Sequence, residues 1–319
     1  MFRVCQAHFV KDGLAAMLCS KWTASKHDLL SQVREGKVSK LYCSPKFDGI
    51  RCVATLKGLY SRNRLKFDSC THVHDDVCKL LKTPYLGFDP AKIMLDGELF
   101  FMGKDLPFEK IVSAVKKTSK HITPQDVKLQ NKIKYHIFDM NLTADHFRKM
   151  PYIERMYHIQ QMLKNAEKKG SLKNHCLLSV PIRSFRTQDE LDNQLEGYLD
   201  RGMEGIVVRT PGGLYEPGKR SKGLMKYVPM MEEEFDIYDV KPGAGKFKGS
   251  LGSLCCVTST GKKFFANPAV DEDMRKEWWK KRKNLIGKKA TVKFTRYTVH
   301  GVPRFPSAKS IRNAGNKRV

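Results

Sequence analysis

Lys46-Phe47-Asp48-Gly49-Ile50-Arg51 places a lysine two residues before a carboxylate, in a turn that contains glycine. Apolar and β-branched residues on both sides of this turn, at Leu41–Ser44 and Cys52–Leu56, predict two strands. Lys46 is therefore expected to project from a turn between strands and to act as a nucleophile. Taken alone, the hexapeptide also fits an ordinary hairpin turn with basic surface residues, because Asp-Gly is a common turn signal.

Further short motifs follow the lysine turn along the chain. They are Asp96-Gly97-Glu98, Tyr135-His136-Ile137-Phe138-Asp139, Glu204-Gly205-Ile206-Val207-Val208-Arg209, Leu224-Met225-Lys226, and Pro303-Arg304-Phe305-Pro306 with Ile311-Arg312. In this order, the motifs resemble the series of the covalent nucleotidyltransferases, the superfamily of ATP-dependent DNA ligases, RNA ligases and mRNA capping enzymes. The resemblance spans nearly the whole chain, and the last motif is similar to the DNA ligase version.

The resemblance implies an α+β chain of two domains. Residues 1–232 would form the adenylation (nucleotidyltransferase) domain, with ATP-grasp-like antiparallel sheets and helices, and residues 233–319 would form a small OB-fold β-barrel. The length of 319 residues is sufficient for two hydrophobic cores.

The sequence pattern predicts the main elements of both domains. In the first domain, the remaining strand candidates are Ile93–Phe101, Lys134–Met140, Cys176–Ser179 and Gly205–Arg209. The helix candidates there are Tyr152–Lys169 and a helix that runs from a Thr187/Glu190 capping box to about Asp200. The second domain is expected to contain strands Asp236–Lys241, Leu254–Thr258, Lys263–Ala266 and Lys289–Arg296, and a helix at Asp271–Lys283. Packing on the barrel is the expected role of Met274, Trp278 and Trp279.

The charge balance indicates a polyanionic partner. The chain has 59 Lys and Arg against 33 Asp and Glu, which gives a formal net charge of +26. Nucleic acid is the expected partner, because cations that neutralise backbone phosphates release counterions. A membrane surface is disfavoured, since the sequence shows neither a long basic amphipathic helix nor a transmembrane run. The resemblance narrows the partner to nicked double-stranded DNA, and a monomer is expected.

The resemblance assigns the first chemical step to Lys46. Its amine would attack the α-phosphate of ATP and form a lysyl-AMP phosphoramidate, with pyrophosphate leaving. The amine must lose its proton first, and Arg51, Lys226 and a divalent metal ion are the candidate cations that favour the neutral form. Arg51 and Lys226 are also expected to bind the nucleotide, and Asp48 is expected to position the lysine and shape its turn.

Glu98 and Glu204 are the candidate metal ligands. Each lies next to a glycine and a predicted strand, so both carboxylates can face one cleft. Their hard oxygen atoms suit Mg²⁺ or Mn²⁺, and magnesium takes only one or two protein carboxylates when phosphates share its shell. By resemblance, Glu98 also contacts the ribose or the metal, whereas Asp96 is a structural hydrogen-bonding partner. Either glutamate alone would fit a surface ion pair.

Phe138 is assigned by resemblance to stacking on adenine. Strand alternation predicts that His136 and Phe138 share one face, and that Tyr135, Ile137 and Asp139 share the other. Without the resemblance, a strand phenylalanine is most simply a core residue.

Arginines and a loop complete the expected contacts with phosphate. By resemblance, Arg62 would contact the nucleotide and the 5′ phosphate of the nick, and Arg304 would orient the leaving pyrophosphate. An ordinary contact with the DNA backbone is the alternative for Arg304. The basic, glycine-rich loop Gly243–Gly252 fits either a phosphate-contacting loop or a solvated hairpin connection.

The fifth motif departs from the family pattern. The family usually has two lysines at alternate positions there, but this chain reads Lys226-Tyr227-Val228. Either Lys226 alone neutralises the α-phosphate, or Lys222 or Lys219 compensates, and the sequence does not choose between these possibilities.

Cysteine usage and the first residues indicate a cytoplasmic protein. The nine cysteines show no Cys-x-x-Cys spacing, so reduced thiols are expected. A zinc site at Cys70, His72, His74 and Cys78 is disfavoured, because the two-residue offset of the histidines is not a usual zinc spacing. Residues 1–10 show no signal-peptide pattern. A bacterial or virus-infected host cell is the expected setting.

These observations predict a compact ATP-dependent DNA ligase. The segment before Lys46 is expected to be too short for the helical DNA-binding domain of larger ligases, as in the minimal enzymes of viruses, phages and some bacteria. Another member of the superfamily, an RNA ligase or a GTP-using capping enzyme, is the nearest alternative. A non-catalytic OB-containing nucleic-acid binder is the alternative from a different class.

Overall fold

A computed structural model of the protein describes residues 15–22, 29–103, 108–142, 149–298 and 300–312. The chain divides into two compact units, Met1–Tyr227 and Val228–Val319. The boundary predicted from the sequence, after residue 232, lies inside the second unit, whose first strand begins at Met231. Residues 1–10, on which the expected lack of a signal peptide rests, lie outside the described residues.

The strands of the first unit form two sheets. They are β1 (Leu18–Lys21), β2 (Leu41–Lys46), β3 (Ile50–Thr55), β4 (Gly58–Ser61), β5 (Lys66–Phe67), β6 (Ile93–Phe100), β7 (Lys134–Leu142), β8 (Leu177–Ser179), β9 (Arg183–Phe185), β10 (Gly205–Arg209) and β11 (Arg220–Tyr227). A five-stranded sheet has the order β1-β11-β10-β2-β9, and a six-stranded sheet has the order β5-β4-β3-β6-β7-β8. The lysine turn therefore lies where the chain leaves the first sheet and enters the second.

Every strand predicted in the first domain is present, and Gly205–Arg209 has the predicted bounds. The sequence analysis missed β1, β4, β5, β9 and β11. Most of these are only two to four residues long, and β11 carries Arg220, Lys222 and Lys226, which hide its apolar residues from a pattern search.

The first unit contains six α-helices within the described residues. They are α1 (Leu29–Arg34), α2 (Thr71–Lys82), α3 (Phe108–Lys116), α4 (Pro124–Gln130), α5 (Tyr152–Lys168) and α6 (Gln188–Leu199). Helix α5 packs against β7, β8 and α2. Its apolar residues Met156, Ile159 and Met162 face the core and are at most 2% exposed.

The predicted capping box of α6 is only half formed. The Thr187 hydroxyl accepts a hydrogen bond from the amide of Glu190, as predicted. The Glu190 carboxylate, however, accepts from the amide of Arg186 at 2.7 Å and not from that of Thr187. The helix therefore begins where the sequence indicates, with one of the two reciprocal bonds shifted by a residue.

A β-bulge at Phe138 changes the faces of β7. Asp96 pairs with Asp139 and Gly97 pairs with Ile137, so Phe138 is an extra residue without a partner on β6. Because directly paired residues share a face, Asp139 lies on the face of Asp96. The predicted alternation, which grouped Asp139 with Ile137, is therefore wrong.

The second unit is a closed five-stranded barrel. Its strands are β12 (Met231–Pro242), β13 (Leu251–Val257), β14 (Lys263–Pro268), β15 (Lys289–Phe294) and β16 (Ser307–Arg312), in the order β12-β13-β14-β16-β15, and α7 (Glu272–Lys280) follows β14 in sequence. Phe235, Phe264 and Phe294 fill the barrel with edge-to-face ring contacts. The architecture agrees with the expected OB-type barrel.

Helix α7 uses its tryptophans, not its methionine, to pack on the barrel. Trp278 is 8% exposed in the barrel core, and Trp279 packs against that core. Met274 is 39% exposed in the first turn of the helix, so its predicted packing role is wrong.

The loop Gly243–Gly252 is the connection between β12 and β13. The amide of Gly243 donates to the carbonyl oxygen of Ser250 at 2.8 Å, and the guanidinium of Arg275 lies 4.3 Å from the ring of Phe247. The loop is thus a folded hairpin connection, and its contact with phosphate stays a prediction.

The histidines considered for zinc have separate partners. The Nε2 atom of His72 lies 3.0 Å from the carbonyl oxygen of Ile133, whereas that of His74 lies 3.2 Å from the carbonyl oxygen of Thr55. The described cysteines are free thiols. Within the described ranges, no helix has the length and apolar composition of a membrane span.

Candidate active site

The lysine turn is a buried junction between the two sheets of the first unit. Phe47 is 6% exposed, and its ring centre lies 4.5 Å from that of His136 and 5.2 Å from that of Phe100. Asp48 is also buried. The turn is therefore not a solvated hairpin tip, and Lys46 extends from a backbone that is anchored on both sides.

Lys46 forms an ion pair with Glu204. The Nζ atom of Lys46 donates to Oε2 of Glu204, and both side chains are mostly buried, at 23% and 14% exposed. The backbone supports this pair, because the amide of Glu204 donates to the carbonyl oxygen of Lys46 at 2.9 Å and Gly205 is the register partner of Lys46. The structure thus brings together two residues that the sequence predicted to share a cleft.

The register of the five-stranded sheet places Lys226 on the face that carries Lys46. Ser44, Val207 and Lys226 are successive partners across β2, β10 and β11. Residues two apart on a strand share a face, as do direct partners, so this row lies on the Lys46 face. Val208 belongs to the apolar core on the opposite face.

Glu98 reaches the lysine turn from the six-stranded sheet. A Cβ atom added to Gly49 would lie 2.9 Å from Cγ of Glu98 and closer still to the backbone of β6, so the approach requires glycine. Burial raises the pKa of Glu98 to about 8, although the charges of Lys46 and Arg51 lower it. In the ligand-free protein, the protonated form of this carboxyl group therefore persists to a higher pH than in an ordinary glutamate.

Arg51 is held by Asp96, which is fully buried. The Nε and Nη2 atoms of Arg51 donate to the two carboxylate oxygens of Asp96 at 2.9 and 2.6 Å. Burial alone would lower the pKa of Arg51, but the Asp96 carboxylate and its hydrogen bonds raise it above the ordinary value. Asp96 is therefore the structural partner that the sequence analysis expected.

Tyr215 completes the Arg51–Asp96 pair. Its hydroxyl donates to Oδ2 of Asp96 at 2.5 Å and accepts a hydrogen bond from the amide of Met17 at 3.2 Å. The loop between β10 and β11, which contains Tyr215, is thereby tied to the segment before β1 and to the six-stranded sheet.

Phe138 lies beside two guanidinium groups. The centre of its ring is 5.1 Å from Cζ of Arg51 and 6.0 Å from Cζ of Arg209. Arg209 and Arg155 donate to the buried Asp139 carboxylate at 2.6 and 2.7 Å. Burial would raise the pKa of Asp139, but the two guanidinium charges bring it below the ordinary value. Stacking of Phe138 on adenine stays a prediction.

Other predicted phosphate contacts lie apart from this cluster. Arg62 is exposed in the turn after β4, and Lys219 and Lys222 are exposed next to and within β11. Among the described residues, no hydrogen bond or ion pair joins these side chains to Lys46. Their roles stay predictions.

Val228 follows the last residue of β11, which ends at Tyr227. The strand pairing therefore does not fix the direction of the Val228 side chain. The choice between Lys226 alone and a compensating Lys222 or Lys219 stays a prediction.

Arg304 belongs to the second unit. Its amide donates to the carbonyl oxygen of Arg296 at 2.8 Å, and its guanidinium lies 5.1 Å from the ring centre of Phe305. Its role toward pyrophosphate stays a prediction.

The carboxylates at the lysine turn suit a hard cation. Glu204 pairs with the ammonium group of Lys46, and Glu98 makes no hydrogen bond with another described residue. The described part of the chain contains no group of three or more His, Cys, Asp or Glu that could hold a metal. An ion at this site would take its remaining ligands from phosphate and water, as magnesium does.

Sequence reasoning missed the residues that support the site. Tyr215 and Arg155 have no local motif, because their carboxylate partners lie far away in the sequence. His136 is the register partner of Glu98, and burial lowers its pKa to about 4. Its Nε2 atom has no hydrogen-bond partner in the part of the chain that the structure describes. The available signal for His136 was its place in the motif Tyr135–Asp139.

Comparisons with known proteins cover both units of the chain. Residues 16–227 match the family model of the ATP-dependent DNA ligase domain, and residues 242–312 match that of the DNA ligase OB-like domain. The chain is 28% identical over 270 residues to a DNA ligase of African swine fever virus, a match that covers 78% of this chain and 58% of the viral protein. A DNA ligase of Archaeoglobus fulgidus is 26% identical over 244 residues, covering 73% of this chain and 40% of that protein.

These alignments cover only part of the relatives, and the chain spans little more than half the length of the viral protein. A solved structure of a Lig E DNA ligase has a TM-score of 0.70 and 22% identity, over 93% of this chain and 99% of the other. The structural similarity therefore covers both units. Because the sequence identity is only 22%, it shows a shared fold and nothing further.

Proposed function

The chain belongs to the ATP-dependent DNA ligase domain family, and we propose that it seals nicks in duplex DNA through a lysyl-AMP intermediate on Lys46. The observation that carries the proposal is the buried Lys46–Glu204 ion pair at the junction of two sheets, with Lys226 on the same face. A surface lysine would have neither the buried carboxylate partner nor a second lysine on its sheet face.

In the first step, the neutral amine of Lys46 attacks the α-phosphorus of ATP. The nitrogen–phosphorus bond forms while the bond from phosphorus to the pyrophosphate oxygen breaks. The Glu204 carboxylate is the nearest acceptor for the proton that the amine must lose, since it already accepts a hydrogen bond from Nζ. Lys226 and Arg51 supply positive charge for the phosphates.

Glu98 and Glu204 are the residues that would hold Mg²⁺ or Mn²⁺. The ion, when bound, would neutralise charge on the phosphate oxygens of the nucleotide. Because burial raises the pKa of Glu98 in the ligand-free protein, binding of a cation at this side chain would favour loss of its proton.

In the next two steps, AMP leaves the lysine and then leaves the DNA. A 5′ phosphate oxygen of the nick attacks the phosphorus of lysyl-AMP, so that an anhydride forms and the amine of Lys46 is released. The 3′ hydroxyl then attacks the 5′ phosphorus, which forms the phosphodiester bond and expels AMP. Catalysis of this kind depends on positioning and charge neutralisation.

The remaining site residues have supporting roles in this proposal. Phe138 stacks on the adenine ring, and Asp48 shapes the turn that presents Lys46. Arg62 contacts the 5′ phosphate of the nick, and Arg304 orients pyrophosphate. The net charge of +26 supports a DNA duplex as the partner. A cytoplasmic location and a monomeric state stay predictions.

Labelling with nucleotide tests the chemistry directly. The purified protein is incubated with ATP or GTP labelled at the α-phosphate, and the labelled peptide is identified by mass spectrometry. We expect one AMP on Lys46 of the wild type, none on Lys46→Arg, and normal labelling of Lys132→Arg, because Lys132 is an exposed residue between α4 and β7. Label on another residue, or none, would contradict the proposal.

Nicked substrates separate the alternatives within the superfamily. Sealing of nicked DNA with ATP supports a DNA ligase, preference for nicked RNA supports an RNA ligase, and labelling by GTP alone supports a capping enzyme. A non-catalytic binder would bind DNA equally well with and without Lys46 and would never carry a covalent nucleotide.

A further inference from the structure

Lys21 and Lys226 are neighbours on the active-site face of the five-stranded sheet. Strands β1 and β11 pair in parallel, and Lys21 is the direct register partner of Lys226. The amide of the next residue, Trp22, donates to the carbonyl oxygen of Lys226 at 2.9 Å and fixes this register. Direct partners share a face, so Lys21 lies on the face that carries Lys226 and Lys46.

The position of Trp22 confirms the direction of Lys21. The Trp22 ring lies 6.5 Å from that of Phe185 and 6.4 Å from that of Tyr227, and it packs against the apolar core on the other side of the sheet. Trp22 follows the last residue of β1, but its amide still bonds to β11, so the alternation of consecutive residues between opposite faces extends to it. Lys21 therefore points away from the core and toward the cleft.

Neither lysine of this pair is neutralised within the described residues. Lys21 is exposed and Lys226 is partly exposed, and no ion pair or side-chain hydrogen bond among the described residues involves either ammonium group. Neighbouring strands are roughly 4.8 Å apart, so two residues of like charge are direct cross-strand neighbours. Such an arrangement is unfavourable without an anion, because like charges that are direct cross-strand neighbours repel.

We infer that Lys21 and Lys226 together bind one phosphate group during the ligation reaction. The inference rests on the proposed function and adds Lys21 to its phosphate-binding residues. Lys21 lies farther across the sheet from Lys46 than Lys226 does, since the strand order is β1-β11-β10-β2. It therefore acts on the side of the phosphate that faces away from the nucleophile, and it does not attack phosphorus itself.

The bound phosphate belongs either to ATP or to the 5′ end of the nick, and the two sources can be separated. One arm measures the rate of Lys46 adenylation over a range of ATP concentrations. The other arm measures sealing of a nick that already carries 5′-linked AMP, with no ATP present. Each arm compares the wild type with Lys21→Ala, Lys21→Arg and Lys132→Ala. The last variant removes the same charge from an exposed site between α4 and β7.

We expect the rate of Lys21→Ala to fall about tenfold in at least one arm, which is the loss typical of one hydrogen bond to a charged group. Lys21→Arg should retain most of the rate because it keeps the charge. Lys132→Ala should match the wild type. A loss of rate only in the ATP arm would show that the two lysines bind a phosphate of ATP. A loss of rate only in the sealing arm would show that they bind the 5′ phosphate of the nick.

A structural role for Lys21 gives a different result. Strand β1 lies at the edge of its sheet, where lysines commonly prevent strand-to-strand aggregation. If Lys21→Ala aggregates more readily while both arms stay at the rate of Lys132→Ala, the inference is wrong and the proposed function stands. If the wild type itself carries no AMP and seals no nick, both fail together.

Discussion

Lys46 and Glu204 lie 158 residues apart in the sequence and are joined through both backbone and side chain. The Glu204 amide donates to the Lys46 carbonyl oxygen at 2.9 Å, and the Lys46 ammonium donates to the Glu204 carboxylate. Because the backbone bond belongs to the edge of the β2–β10 ladder, the carboxylate is placed by the sheet and not by a flexible loop. The proposed nucleophile and its proposed proton acceptor are thus preorganised by strand pairing.

Replacing this carboxylate should disable the nucleophile without unfolding the protein. Glu204→Gln keeps the size of the side chain and the backbone hydrogen bond but removes the charge. We expect AMP incorporation to fall by about 10–100-fold, the range typical of a lost hydrogen bond to a charged group. Rapid-quench labelling measures the rate, with Glu167→Gln, on the exposed face of α5, as the matched control. Unchanged labelling of Glu204→Gln would show that the pair has no part in the chemistry.

Gly49 should tolerate no side chain. In Gly49→Ala, the new Cβ would lie 2.9 Å from Cγ of Glu98 and would press on the backbone of β6. We expect a loss of about 1–3 kcal/mol in the free energy of unfolding, as for other overpacked sites, together with slower adenylation. Gly212→Ala is the control, because nothing lies within 4 Å of the Cβ that it would add. Equal stability of the two variants in urea denaturation would contradict the close approach.

Tyr215 should matter for stability through its hydroxyl group. Tyr215→Phe leaves the buried amide of Met17 without its acceptor and removes a donor from Asp96. We expect the free energy of unfolding to fall by about 1–3 kcal/mol, because buried polar groups lose their hydrogen-bond partners. Tyr157→Phe, at a position that is 57% exposed, should leave the free energy of unfolding almost unchanged. Chemical denaturation compares the two variants, and the hydrogen bonds of Tyr215 are unimportant if both are as stable as the wild type.

The local pattern of the chain was sufficient for much of the fold. Gly205–Arg209 is a β-branched run bounded by glycine, and both of its ends were predicted correctly. The β-bulge at Phe138 was not predictable, because a bulge depends on which residues of the partner strand are paired, and that pairing is set by tertiary contacts. As a result, the face of Asp139 was assigned wrongly although its strand was correct.

The sequence analysis identified candidate site residues that belong to short motifs. It missed the supporting residues whose partners are distant in the sequence. The cleft shared by Lys46 and Glu204 follows from short motifs. The hydroxyl of Tyr215 donates to Asp96, which lies 119 residues away in the sequence. Lys21 is paired with Lys226 through the parallel strands β1 and β11, and this pairing could not be predicted from a strand of four residues. Contacts of this kind depend on the arrangement of the two sheets, which no local pattern specifies.

Glu98 should make the stability of the protein depend on pH. Its pKa is raised from 4.5 to about 8 in the folded protein, so between these values the folded state binds more protons than the unfolded state. Stability from this group therefore falls as the pH rises through that window and levels off above it. Glu98→Gln removes the titration, and its stability relative to the wild type should rise by about 1–3 kcal/mol between pH 5 and pH 8.5, because the side chain keeps some contact with solvent. Urea unfolding at both pH values measures the difference, with Glu167→Gln as the control that should show no such change. The same difference at the two pH values would mean that Glu98 is already ionised in the folded protein.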